Sequence, residues 1–218
     1  MLQRSFRKIK RIISLHIPNK NMNTSNYIFW SGISNFASSM ENVIGTDSML
    51  YSLDTTPNKE LINLSINFIG KDIFGQLGGM YYINKYGKKS DNNPKVWIRN
   101  NNIIQQTCIF TECATPFIPS YLFLPIAGLA SIGRNVIWTG YGAISAKCIQ
   151  KIAPTQAIGE VYSKISIINT LCSSFGMTFG LFISYKIPDH MTRIFCILPI
   201  IAFIRIYSLN RALKNLII

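Results

Sequence analysis

Residues 156–186 read QAIGEVYSKISIINTLCSSFGMTFGLFISYK. Charge enters this stretch only at Glu160, Lys164 and the closing Lys186, and no proline falls between Pro154 and Pro188. Apolar and small side chains dominate the rest. The reading is one uninterrupted helix over about 156–185. At about 1.5 Å per residue it is long enough to cross the ~30 Å hydrocarbon layer of a bilayer. Two lysines, Lys147 and Lys151, stand just before it.

Working outward, the same alternation of cationic bursts and apolar, Gly-rich stretches fills the chain. Of 22 Lys and Arg, 16 fall in four places: the first 20 residues, the stretch 85–99, the pair Lys147 and Lys151, and the tail from Arg205. Six helices are predicted, over about 27–53, 59–84, Pro94 to Pro116 or Pro119, 120–148, 156–185 and 191–209. The opposite connections hold only Lys59, Lys186 and Arg193, an asymmetry of 16 to 3. By the positive-inside rule, both chain ends and the 2–3 and 4–5 loops share one compartment. The expected fold is therefore all-α, a multi-span membrane bundle of six transmembrane helices. It forms a single domain over residues 27–218. Composition agrees. The chain is 48% hydrophobic and 14% charged, against about 25% charge in soluble domains. Its net charge is +13. With the basic groups divided by apolar runs, the expected partners are the lipid bilayer, anionic lipid and other membrane subunits, and not nucleic acid. A mean hydropathy of +0.22 is modest for a multi-span protein. It leaves open a soluble basic helical domain within a larger assembly.

Residues 1–26 carry six Lys and Arg and no acid, with Leu2, Phe6, Ile9 and Ile13 at helical spacing. That is the composition of an organelle-targeting leader, or of a basic helix lying on an anionic membrane. The expected location is the mitochondrial inner membrane, with a plastid membrane as the alternative.

Small residues recur four apart at Gly75 and Gly79, Gly142 and Ala146, and Gly176 and Gly180. In lipid this spacing lets helix backbones approach closely. A Gly pair in helix 2 and another in helix 5 fit a three-plus-three repeat. Eight ionisable residues fall within predicted helices: Glu41, Asp47, Lys71, Asp72, Glu112, Arg134, Glu160 and Lys164. Each costs about 2.5–3.5 kcal/mol at mid-membrane, so such groups face the interior and pair, or line a polar cavity. Glu160 and Lys164 are four apart and can meet on one helix face. Arg134 needs a carboxylate, for which Glu112 or Asp72 is best placed.

Three strings, Lys71-Asp72-Ile73-Phe74-Gly75-Gln76-Leu77-Gly78-Gly79, Asp91-Asn92-Asn93-Pro94-Lys95-Val96-Trp97 and Glu112 with Thr115-Pro116, resemble the root UV-B-sensitive family. Gly159-Glu160-Val161-Tyr162-Ser163-Lys164 is similar to that family's Asn/Gly–Asp–x–x–Ala–Lys element. Order and spacing agree over roughly residues 40–185. The chain departs from the pattern at Glu160, where the family has Asp. It departs again at Asn101, Asn102, Gln105 and Gln106, where relatives carry acids. The family's opening Gly-Phe-Pro segment and long C-terminal region have no match, so the resemblance implies a trimmed member. It also implies an organellar protein linked to vitamin B6 homoeostasis and light responses, with no established reaction. Asp72, Glu112, Glu160 and Lys164 match its charged positions. A shorter string, Asn84-Lys85-Tyr86-Gly87-Lys88-Lys89, is similar to the basic loop of major facilitator transporters, with Asn for Asp.

Nothing points to catalysis, a cofactor or a metal. Histidines are limited to His16 and His190, the five cysteines have no paired metal spacing, and no P-loop or GxGxxG is present. The thiols read as buried and inert. Two functions are expected in turn. The first is a non-catalytic accessory subunit of a respiratory-chain or ATP synthase type complex. The alternative is a small-solute transporter or vitamin B6 homoeostasis factor.

Overall fold

The computed structural model describes residues 22–54, 61–90, 94–152 and 158–214. The leader up to residue 21 and Pro57, expected to end the first helix, lie outside the described residues. Among them are six long helices and no strand: α1 (Met22–Asp54), α2 (Leu61–Ser90), α3 (Pro94–Cys113), α4 (Phe123–Ile152), α5 (Ile158–Lys186) and α6 (His190–Lys214). Pro94 opens α3 at the position where a missing N–H costs nothing. The expected end of α3 at Pro116 or Pro119 moves back to Cys113, because Thr115–Phe117 and Ser120–Leu122 form separate 3₁₀ turns. Asp189 caps α6, accepting from the Thr192 amide at 2.9 Å. The Thr192 hydroxyl and amide hold its carboxyl below the ordinary Asp range. Pro199 sits inside α6, and the helix widens to a π turn at Arg193–Ile197 just before it. Such a turn gives the ring room and absorbs the hydrogen bond that proline cannot make.

The helices pair across the chain's two halves. α2 lies along α4, α5 lies along α1, α3 touches α4, and α6 touches α1. Exchanging helices 1–3 with helices 4–6 converts the first of these pairings into the second and the third into the fourth. Glycines set both long contacts. A Cβ on Gly75 would strike Ser131 and Asn135 of α4, and one on Gly176 would strike the Phe36 carbonyl of α1. Gly79 and Gly180 repeat the approach one turn on, against Asn135 and against Met40 and Val43. Gly142 and Ala146 lie where side chains are outside the described set.

The interior is mixed: three apolar clusters, around Ile28, Ile44 and Met49, lie beside buried polar and charged side chains. The buried set includes Glu41, Asn101, Asn102, Gln105, Gln106 and Arg205. Outward lie Ile69, Phe74, Phe175, Phe182, Phe195 and Phe203, each more than half exposed. By length and apolarity alone, two stretches among the described residues qualify as membrane spans, Tyr162–Lys186 and His190–Lys214, with Phe123–Trp138 a shorter apolar helix. The other helices fall short because polar and charged side chains dilute them.

Two cations leave the loop tally. α6 runs on to Lys214, so Arg205 is a buried helical residue and not part of a tail, and Arg193 is buried in the first turns of α6. Asp72, expected inside, points outward with its side chain 52% exposed. The thiols also differ from expectation. The described cysteines are unbonded, and while Cys113 is buried, Cys196 is exposed on the apolar outer face.

Candidate functional site

A cavity of about 810 Å³ lies between α1, α3 and α5, with short contributions from α4 and α6. Three stripes of small polar residues build it. α1 supplies Asn35, Ser38, Asn42 and Thr46, spaced three, four and four apart. α5 supplies Ser166, Asn169 and Ser173, again at three and four. On α3, Asn101, Asn102 and Gln105 face the same space. Residues at these intervals share one face of a helix, so the packing of three such faces sets polar groups along a cavity whose remaining walls are apolar, among them Ile98, Trp138, Ile165 and Leu181. The lining follows α1 from Tyr27 to Leu50, a length of about 35 Å at the helical rise. Tyr27, Trp97 and Tyr162 line it with aromatic rings. Ser39 and Ser173 bridge α1 to α5 at 2.6 Å, and Ser31 donates to Asn169 Oδ1 at 3.5 Å.

Buried ion pairs frame the cavity. Arg205 Nη1 donates to Glu41 Oε2 at 2.5 Å, and its Nη2 donates to Gln105 Oε1. Gln106 Nε2 reaches the same Glu41 oxygen at 3.1 Å. At the α1–α6 contact Arg193 donates to Asp47, Ser184 and the Pro188 carbonyl. Tyr51 lies over the His190 ring with centroids 4.1 Å apart. Across the α3–α4 contact, Arg134 Nη1 donates to both carboxylate oxygens of Glu112 at 2.9 and 2.7 Å. Of the two corresponding helix pairs, α3–α4 thus carries one ion pair and α1–α6 carries two, with the acid on α3 in the first and on α1 in the second.

The charged residues singled out in the sequence do not meet at one place. Glu112 and Arg134 pair with each other. Lys71 pairs with its neighbour Asp72 at 2.7 Å and sits over the Phe68 ring. Lys164 is half-buried on α5, and the Glu160 side chain lies outside the described residues. None of Lys71, Asp72, Glu112, Arg134 and Lys164 lines the cavity. The residues that do are mainly amides and hydroxyls, together with Asp47 and Arg205. Their signal in the sequence is the three-and-four spacing of Asn and Ser on α1 and α5. Uncharged groups carry a smaller insertion penalty than charges and so stand out less. Among the described residues, no group of three or more His, Cys, Asp or Glu side chains is placed to hold a metal ion.

Residues 22–218 match the sequence profile of the "Vitamin B6 photo-protection and homoeostasis domain". The chain is 26% identical over 167 residues to Protein root UVB sensitive 6 of Arabidopsis thaliana, covering 76% of this chain and 33% of that one. It is 21% identical over 200 residues to RUS family member 1 of Dictyostelium discoideum, covering 85% and 38%. To Protein root UVB sensitive 4 of Arabidopsis thaliana it is 24% identical over 182 residues, covering 83% and 35%. The chain thus spans little more than a third of the length of these curated relatives. No solved structure matches it.

Proposed function

The chain belongs to the family of the vitamin B6 photo-protection and homoeostasis domain, and from that premise we propose that it is a six-span membrane protein whose cavity binds a small solute and passes it across the bilayer in vitamin B6 homoeostasis. The cavity carries the reading. Its lining extends about 35 Å along α1, against the ~30 Å hydrocarbon thickness that a passage would have to cross. Large exposed apolar side chains outside, with charged and amide groups buried within, suit a lipid surround, where backbone groups must be satisfied within helices. Pairings that interchange when the halves are exchanged fit inverted repeats of three helices, the arrangement in which one half rocks against the other around a central site. The basic, acid-free residues 1–26 favour an organellar membrane, mitochondrial or plastid. No catalytic step is part of the proposal.

The accessory-subunit reading draws no support from the comparisons. Glu112, Glu41 and Asp47 do not call for a second subunit, since each has an arginine partner within this chain.

Uptake of labelled pyridoxine into liposomes carrying the purified protein tests the proposal. Wild type is expected to exceed empty liposomes. Ser173→Trp, which fills the cavity at its α1–α5 bridge, is expected to return uptake to the empty-liposome level. Asp72→Asn, outside the cavity, should leave it unchanged. Equal uptake by wild type, Ser173→Trp and empty liposomes would remove the reading.

A further inference from the structure

We infer that the cavity is selective for an uncharged, hydroxylated ring compound and rejects phosphate esters. The inference rests on the solute-site reading above and names the class of solute.

The first argument is charge. Among the described residues lining the cavity, the ionisable side chains that carry full charge are Asp47 and Arg205. Arg205 is already neutralised. One of its nitrogens is held by Glu41, which has no exposed surface, and another by Gln105. Asp47 is neutralised by Arg193. No described lining cation is left to compensate an entering phosphate. A dianion there would have to displace a buried carboxylate or remain unpaired, and uncompensated burial of an ion is strongly unfavourable.

The second argument is hydrogen bonding. Asn42 Oδ1 and Asn101 Nδ2 are buried without a hydrogen-bond partner among the described residues, and both residues line the cavity. Asn101 is 5% exposed. Buried polar atoms of native proteins nearly always have partners, so unpaired ones call for an explanation. One is an acceptor and the other a donor. A hydroxyl serves both kinds, donating to the first and accepting from the second. A phosphoryl dianion in the place of that hydroxyl has no proton to give to Asn42 Oδ1.

The third argument is shape and surface. Tyr27, Trp97 and Tyr162 provide ring faces within the same cavity as the amides. Polar groups set among aromatic and aliphatic surface suit a small-molecule site, and about 810 Å³ lies in the ~300–1,000 Å³ range of such sites. A planar or saturated ring bearing hydroxyls uses both surfaces. Unphosphorylated vitamers such as pyridoxine, with no net charge near neutral pH, belong to this class. Their 5′-phosphates do not.

Displacement of labelled ligands from the detergent-purified full chain decides the matter, with pyridoxine, pyridoxine 5′-phosphate, uridine and inositol as probes. Pyridoxine is expected to bind at least tenfold more tightly than its phosphate. Asn101→Leu should weaken pyridoxine at least tenfold. Glu41→Gln, which releases the charge on Arg205, should shift the preference toward the phosphate at least tenfold, with folding of each variant checked by its melting curve. Binding of uridine or inositol without pyridoxine would uphold the uncharged class while removing the vitamin from the proposed function. Equal or tighter binding of the phosphate by wild type would overturn the inference and leave a solute site standing. So would the absence of binding by every probe, which would remove the solute site as well.

Discussion

Glu112 has no exposed surface, and Arg134 keeps 19% of its side chain exposed, so their pair sits largely away from water. Removing one member strands the other. Glu112→Leu alone is expected to cost about 3–5 kcal/mol, the usual penalty for leaving a buried charge without its partner. Glu112→Leu with Arg134→Met should recover most of that loss, because an apolar pair of similar volume is often as stable as the ion pair. Unfolding in detergent, followed across wild type, single and double variants, reads the difference. A single variant as stable as wild type would show that the pair contributes nothing. This contact was legible at the level of the residue. A lone arginine in an apolar helix needs a carboxylate, and only a few were in reach. The Glu41–Arg205 pair was not legible in the same way. Arg205 follows the last long apolar run and looks like one of the cationic tail residues, until α6 is seen to continue through it to Lys214.

Gly176 and Gly180 let α5 lie against α1, as Gly75 and Gly79 let α2 lie against α4. At Gly176 an added Cβ meets backbone of Phe36, which cannot swing aside. Gly176→Leu is therefore expected to destabilise by about 1–3 kcal/mol or more, the range for overpacking a tight contact. Gly159→Ala near the start of the same helix meets open space and should be neutral or mildly stabilising. Paired melting curves test this, and equal losses at the two positions would contradict the packing assigned to α5. The elements themselves were readable because proline, glycine and charge mark their ends plainly. All six helices lie close to the sequence-based ranges. The site was less readable, because it is made of uncharged side chains. Asn35, Asn42, Asn169 and Ser173 become a lining only when α1 and α5 are brought face to face, and single-helix periodicity does not say which helix faces which.

For the molecule as a whole, exposed apolar side chains, buried polar groups and half-to-half pairings are what the proposed solute passage between bilayer-crossing helices rests on. Among the described residues, only α5 and α6 meet the length and apolarity of a span unaided. The polar stripes of α1 and α3 face the interior, so their low hydropathy is what a cavity-lining span requires. Arg193 and Arg205 leave the loop tally, one from each side, yet the connections at 85–99 and at the α5–α6 turn still differ sharply in charge. The most direct measurement is sided labelling in sealed membranes. Single cysteines, introduced as Lys85→Cys or Asp189→Cys in a background without native cysteines, are exposed to a membrane-impermeant maleimide. The account predicts that one of them reacts from outside and the other only after the membrane is opened. Reaction of both from the same face, or a chain that stays in solution without detergent, would contradict it.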